Sequence, residues 1–265
     1  MKKFFSRFYL AIILAFMYLP IVTLIIFSFN ESKNMATWTG FTLDWYGELF
    51  SDPAIGDAVF VTLSIAVIAA LSATLIGTLG AFGIYGLRHK RKRFKNFVLN
   101  VTYIPMINAD IVTGISLLLL FIFINMQRGY WTMLIAHITF CIPYVVLSVL
   151  PKLNQMSPLT YEAALDMGAK PGYAFRKVII PQIMPGIVAG LILSFTMSFD
   201  DFMISFFTAQ GTTENLSTYI YSMARMGINP SINALSAIMF AIVLTLLIVM
   251  NVLSIRRDKK VLGAV

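Results

Sequence analysis

Three aspartates, Asp110, Asp200 and Asp201, stand inside long apolar runs of this sequence. An ionised carboxylate in mid-bilayer costs at least about 2.5–3.5 kcal/mol, so such groups usually face a cavity or a partner. The chemistry they offer there is attraction of cations. Around the last two acids, Ser194, Ser198, Asp201, Ser205 and Thr208 recur at steps of four, three, four and three. That spacing aligns them along one helix face. Asp200 lies about 100° around the helix from Asp201. The expectation is that Asp201 faces a pathway or a neighbouring subunit, with Asp200 turned toward a neighbouring helix or the cavity's flank. Hydroxyls at helical spacing also serve hydrogen bonding between helices in membranes, and for the stripe both readings stand. The adjacent carboxylates diverge in direction, which disfavours a shared-proton pair of the kind an intramembrane enzyme would use. Tyr144, Trp131, Phe199 and Phe202 are candidates for cation–π contact, although most phenylalanines in such a chain pack or face lipid. His137, Cys141 and Tyr144 share spacings of four and three but lack further strong ligands, so no metal site is expected.

The elements that hold these residues follow from composition. Of the 265 residues, 58% are hydrophobic and 12% charged, and the mean hydropathy is +0.82. Soluble domains run about 45–50% apolar and about 25% charged. Too little polar surface is available to cover a water-soluble fold. These figures exclude a cytosolic enzyme, a nucleic-acid-binding domain and a disordered chain. A single cysteine, Cys141, leaves no internal disulfide. A bilayer core needs roughly 20 apolar residues in a helix, and six stretches qualify. They cover about 8–29 (with Pro20), 59–87 (with Gly77, Gly80, Gly83 and Gly86), 97–126 (interrupted by Pro105 and Asp110), 131–150 (with Pro143), 183–208 and 234–255. The first is longer than a signal-peptide core and is read as a retained span. The prediction is an all-α polytopic membrane protein, one domain over 1–265. Counted along straight helices, all three acids would stand about 20–25 Å up, in the outer half.

The charge of +8 could suggest nucleic acid, but its placement argues otherwise. With the N-terminus inside, segments 1–7, 88–96, 151–182 and 256–265 hold 17 of the 20 basic residues and three of the 12 acids. The division is +14 on that side and −6 elsewhere. This is the positive-inside pattern, with both termini cytoplasmic. The basic run from Arg88 to Lys95 is accordingly a topology anchor.

The longest inner loop, 151–182, carries the most specific pattern. Ser157-Pro158-Leu159-Thr160 offers helix-start chemistry, with hydroxyls as caps. Glu162-Ala163-Ala164 continues a short helix, and Gly168 is a helix stop. Pro171-Gly172 turns the chain back, and Val178-Ile179-Ile180-Pro181 leads into the fifth stretch. Glu162, Ala163, Ala164, Gly168 and Pro181 match the E-A-A-x3-G-x9-I-x-L-P motif of ABC-importer permeases, and Val178 and Ile180 depart from it conservatively. The chain resembles that family. The segments Phe41–Tyr46, Pro105–Asp110, His137–Tyr144 and Ser194–Asp201 resemble the second permease subunit of spermidine/putrescine importers.

The resemblance implies a type I ABC-importer (MetI-like) permease fold of six transmembrane helices in the bacterial inner membrane. It implies that Glu162 makes a polar contact with an ATPase, Ala163 and Ala164 pack closely against it and Gly168 makes the turn. It further implies a pathway formed with Asp110, Asp200, Asp201, Ser198 and Tyr144. The partners would be a homologous second permease subunit, an ATPase dimer and an extracytoplasmic polyamine-binding protein, within lipid. The chain has no phosphate-cradling Gly-x4-Gly-Lys-Ser/Thr loop. No cofactor is expected in it, since ATP and Mg would be bound by the ATPase. The competing readings are an importer permease for another small solute and an ion-coupled secondary carrier. Inverted repeats would favour the carrier, and none is evident.

Overall fold

The computed structural model of the chain describes residues 2–32, 37–87, 91–209, 213–226 and 230–262. Helices dominate, and the one extended pairing among the described residues is an isolated bridge between Asn30 and Phe41. In chain order the elements are α1 Lys2–Phe27, α2 Asp44–Ser51, α3 Pro53–Gly86, α4 Lys92–Ile107, α5 Asp110–Phe123, α6 Tyr130–Gln155, α7 Pro158–Asp166 and α8 Pro171–Ala174. A π-helical turn at Phe175–Ile179 follows. The chain continues as α9 Ile180–Phe199, α10 Met203–Thr208, α11 Leu216–Met226 and α12 Pro230–Leu262. Lys33, Arg88 and Lys90, part of the charge pattern, lie outside the described residues.

Among the described residues, four helices are long and apolar enough to cross a membrane: Phe8–Phe27, Pro53–Gly86, Tyr130–Gln155 and Pro171–Phe199. The expected third span is not one rod. It divides into α4 and α5, which meet at 107°. Asn108 and Ala109 are both extended there, with ψ of 149° and 140°. Pro105 supplies no amide donor and crowds the carbonyl four residues back, which weakens the last turn of α4. Asp110 then opens α5, where a carboxylate complements the positive end of the helix dipole. The straight-helix height given to Asp110 therefore does not hold. The expected fifth span is broken as well: α9 stops at Phe199 and α10 restarts at Met203. The sixth apolar stretch falls within α12.

The chain forms two compact units, residues 1–56 with 219–265, and residues 57–218. In the first, α12 packs against α1 and α2. The turn after α1 is fastened by stacking of Phe29 on Phe41 (5.4 Å between ring centres) and by Trp45 Nε1 donating to the Asn30 carbonyl at 2.7 Å. The apolar Phe8–Phe27 stretch buries none of its residues within the chain. Water would not tolerate a face of that size.

The second unit is organised by α6 against α9. Ala136, Phe140, Cys141, Val145, Val149 and Leu153 line the buried side of α6. Glycines let neighbouring backbones come close, the usual means of packing helices where lipid gives no hydrophobic drive. A Cβ on Gly186 would stand 2.8 Å from the Ser148 carbonyl oxygen, and one on Gly77 would stand 2.7 Å from Val145 Cβ. Gly186→Leu is expected to destabilise the protein by about 1–3 kcal/mol through overpacking. Gly47, which has nothing within 4 Å of such a Cβ, should tolerate Ala. Thermal unfolding of the detergent-solubilised variants measures the contrast.

Candidate functional site

The loop over 151–182 folds much as its residues dictate. Ser157 precedes α7 and Pro158 occupies its first turn, where a missing amide donor costs nothing. Contrary to expectation, the Ser157 side chain makes no capping hydrogen bond. The end of α7 is more tightly defined. Gly168 has φ of +84°, a left-handed conformation that residues with a Cβ resist. Its N–H bonds the Leu165 carbonyl at 2.8 Å, and the Ala169 N–H bonds the Ala164 carbonyl at 3.1 Å. These two bonds are a Schellman stop.

Tyr161 and Phe175 root the loop in the core, Phe175 lying 4.9 Å from Phe82 between ring centres. Glu162, Ala163, Leu159 and Met167 are exposed on α7, and Ala164 is half-buried. Through the π-helical turn the Ile180 N–H reaches the Phe175 carbonyl, five residues back. Pro181 follows. Its ring would clash with the Lys177 carbonyl in a regular helix, and the wider turn relieves this.

The carboxylates are placed differently from expectation. Asp200 is exposed, whereas Asp201 is buried at 8% exposure. The helix breaks between them and the start of α10, so the 100° relation of a continuous helix does not apply. Asp201 turns inward and serves the break. Its Oδ2 accepts from the Ser205 N–H (2.8 Å) and hydroxyl (2.9 Å), and its Oδ1 accepts from the Ile204 N–H (3.3 Å). These bonds satisfy amides left free at the start of α10. The Asp201 carbonyl accepts from Asn215 Nδ2 at 2.9 Å, and the same amide donates to Ser205 Oγ at 2.8 Å. Asn215 Oδ1 in turn accepts from the Thr218 N–H and hydroxyl at 2.9 Å, capping α11. The Leu216 N–H is taken by Thr62 Oγ1 at 2.8 Å.

His137 completes the network. Its Nδ1 meets Ser198 Oγ at 2.6 Å and its Nε2 meets Ser205 Oγ at 3.0 Å, with Asp201 Oδ2 at 3.5 Å from Nε2. The Ser205 proton goes to Asp201, so Ser205 Oγ accepts from His137 Nε2–H. In the neutral ring, Nδ1 then accepts the Ser198 hydroxyl. The tautomer is assigned by its partners.

The whole stripe of Ser194, Ser198, Asp201, Ser205 and Thr208 is buried. Alongside His137, the Cys141 thiol donates to the Ser194 carbonyl at 3.5 Å and the Thr132 hydroxyl to the Thr208 carbonyl at 3.0 Å. The stripe is thus a polar seam against α6, and Ser198 belongs to it. Phe199 is buried beside Phe195. Asp110 is exposed at the start of α5, and Tyr144 is half-buried on α6. Neither the spacing of His137 to Cys141 and Tyr144 nor the resemblance of the His137–Tyr144 segment predicts its bonds to Ser198 and Ser205, and the roles of Asn215 and Thr62 are absent from the sequence reading. An Asn directly before Leu216-Ser217-Thr218 is a legible helix start. The pairing of Asn215 with Asp201 has no local signal.

With this geometry, comparison with known proteins is decisive for the family. A family model described as "binding-protein-dependent transport system inner membrane component" matches residues 73–262. The chain belongs to that family. It is 41% identical over 251 residues to the spermidine/putrescine transport system permease protein PotC of Escherichia coli (strain K12), covering 95% of this chain and 93% of that one. The putrescine transport system permease protein PotI of the same organism is 36% identical, over 86% of this chain and 83% of its own length. Among solved structures, a bacterial alginate ABC transporter in complex with an alginate pentasaccharide-bound periplasmic protein matches with a TM-score of 0.72. Its sequence identity is 20%, over 96% of this chain and 94% of that one. That likeness establishes the permease fold.

In this permease the two neighbouring aspartates should separate by stability. Asp201→Ala is expected to lower it by about 2–3 kcal/mol, since a cap is lost and buried donors are left unmet. Asp200→Ala should stay within about 0.5 kcal/mol of the parent, as exposed substitutions do. Thermal unfolding in detergent separates the two.

Proposed function

We propose that the chain is a membrane-spanning permease subunit of an ATP-driven importer of polyamines such as spermidine and putrescine. The observation that carries the substrate class is the similarity to PotC along 95% of the chain. The geometry agrees with a cationic solute. Asp110 and Asp200 are exposed carboxylates at breaks between helices, and Tyr144 on α6 is half-buried. A desolvated ammonium gains from both a carboxylate and an aromatic face.

In this reading the chain crosses the bacterial inner membrane six times, counting α4 with α5 as one bent span and α12 as the sixth, with both termini cytoplasmic. It pairs with a second, similar permease and receives solute from an extracytoplasmic binding protein. ATP and Mg belong to a separate ATPase dimer, and this subunit performs no hydrolysis. The ATPase meets α7. Exposed Glu162 and Ala163 lie with exposed Leu159, Thr160, Asp166 and Met167, a surface that offers small, apolar and acidic contacts together. ATPase closure moves α7, the cavity opens outward to take the solute, and hydrolysis resets it.

Two measurements test this reading. Glu162→Lys is expected to abolish copurification of the ATPase and solute-stimulated ATP hydrolysis; uptake persisting without an ATPase would refute the importer. Asp200→Asn is expected to raise the KM for spermidine uptake roughly tenfold, the equivalent of about 1.4 kcal/mol. Unchanged KM there and in Asp110→Asn would remove the carboxylates from the pathway.

A further inference from the structure

The break between α9 and α10 is bridged from outside by one ring. His137, on α6, bonds Ser198 on the near side of the break and Ser205 on the far side, at 2.6 and 3.0 Å. Asp200 sits between those two anchors, exposed, with its N–H only 3.4 Å from the Thr196 carbonyl. His137, Ser198 and Ser205 are each at most 1% exposed, so none of the three meets a solute directly. The polar groups on either side are also held. Asn215 grips the Asp201 carbonyl, and Asp201 grips the first amides of α10. A frayed helix end would leave such groups to water or unmet. Here hydrogen bonds hold both flanks of the break, and it comes where Asp200 is exposed.

We infer that His137 is a positioning residue for Asp200: its imidazole, held to a serine on each side of the break, sets the direction in which that carboxylate is presented. The inference rests on the reading of Asp200 as a cation-facing group. Asp201 is part of the same clamp and not a second ligand. The clamp acts through geometry, since a rigid five-membered ring fixes the separation of its two hydrogen-bonding nitrogens. Loss of either serine bond would free the angle between α9 and α10 without removing any charge from the pathway.

The test reads the position of residue 200 with no solute present. The one native cysteine, Cys141, is buried, so Asp200→Cys provides a selective label site. In membranes holding the assembled importer, Asp200→Cys should react with a small hydrophilic thiol reagent. Adding His137→Ala or Ser198→Ala should change that rate by about fivefold or more, as local opening of a held segment does. His137→Gln, whose amide keeps one donor and one acceptor, should restore most of it. Ser198→Ala, a small change, guards against a His137 variant that fails to accumulate. Equal rates in all backgrounds at equal protein abundance would overturn the inference.

A second arm reads spermidine uptake. If His137 and Ser198 act through Asp200, Asp200→Asn with Ser198→Ala should have the KM of Asp200→Asn alone; additive effects would mean an independent structural role. Absence of spermidine uptake by the parent importer would instead refute the polyamine reading, and the labelling result would still decide the positioning role.

Discussion

A helix that breaks where lipid surrounds it has to bring its own hydrogen-bond partners. That constraint shapes the second unit more than any other, because hydrocarbon offers nothing to a free amide or carbonyl. The break at 200–202 meets it with one side chain of its own and two from elsewhere. The Asp201 carboxylate takes amides of α10, Asn215 takes the Asp201 carbonyl, and His137 ties both flanks to α6. Once those roles are filled, the remaining carboxylate of the pair, Asp200, is the one available to the exterior. The division of labour between two adjacent aspartates is therefore a consequence of backbone accounting. One of them must cap, and the one on the buried stripe does.

The same accounting explains what the sequence disclosed. Helical class, the long apolar stretches and the inner loop were all legible, since each depends on local composition or on a few fixed spacings. Gly168 as the stop of α7 could be read from its type alone, because few other residues accept a φ of +84°. The interruption near Pro105 was visible too, although its 107° angle was not. The orientation of Asp200 and Asp201 was misjudged for a definite reason. A regular spacing of four and three presumes an unbroken helix, and nothing in Ser194–Thr208 marks a break by Gly or Pro. The partners that stabilise the break, His137 and Asn215, lie 61 and 14 residues from the serine and aspartate they hold. Such pairings are tertiary facts with no local signature. All five residues of the stripe are nonetheless buried, and His137, Cys141 and Thr132 of α6 bond along it.

The two sites stand at opposite ends of one helix. The EAA-type loop ends in Pro181, at the first turn of α9, and Asp200 follows its last residue, Phe199. Twenty helical residues at 1.5 Å each make a rod about 30 Å long, close to the thickness of a bilayer core. At its lower half the rod is pressed against α6, where Gly186 and Gly190 approach Ser148, Lys152 and Val145 too closely to admit a side chain without movement. At its upper end α6 holds it again through His137 and Ser198. A displacement imposed on α7 would thus reach α9 through the π-helical turn and carry α6 with it. It would arrive at the break as a rotation or shift of Asp200 rather than as bending of α9 along its length. Packing and the bonds of His137 thereby serve one end: they make the rod between the EAA-type loop and Asp200 stiff.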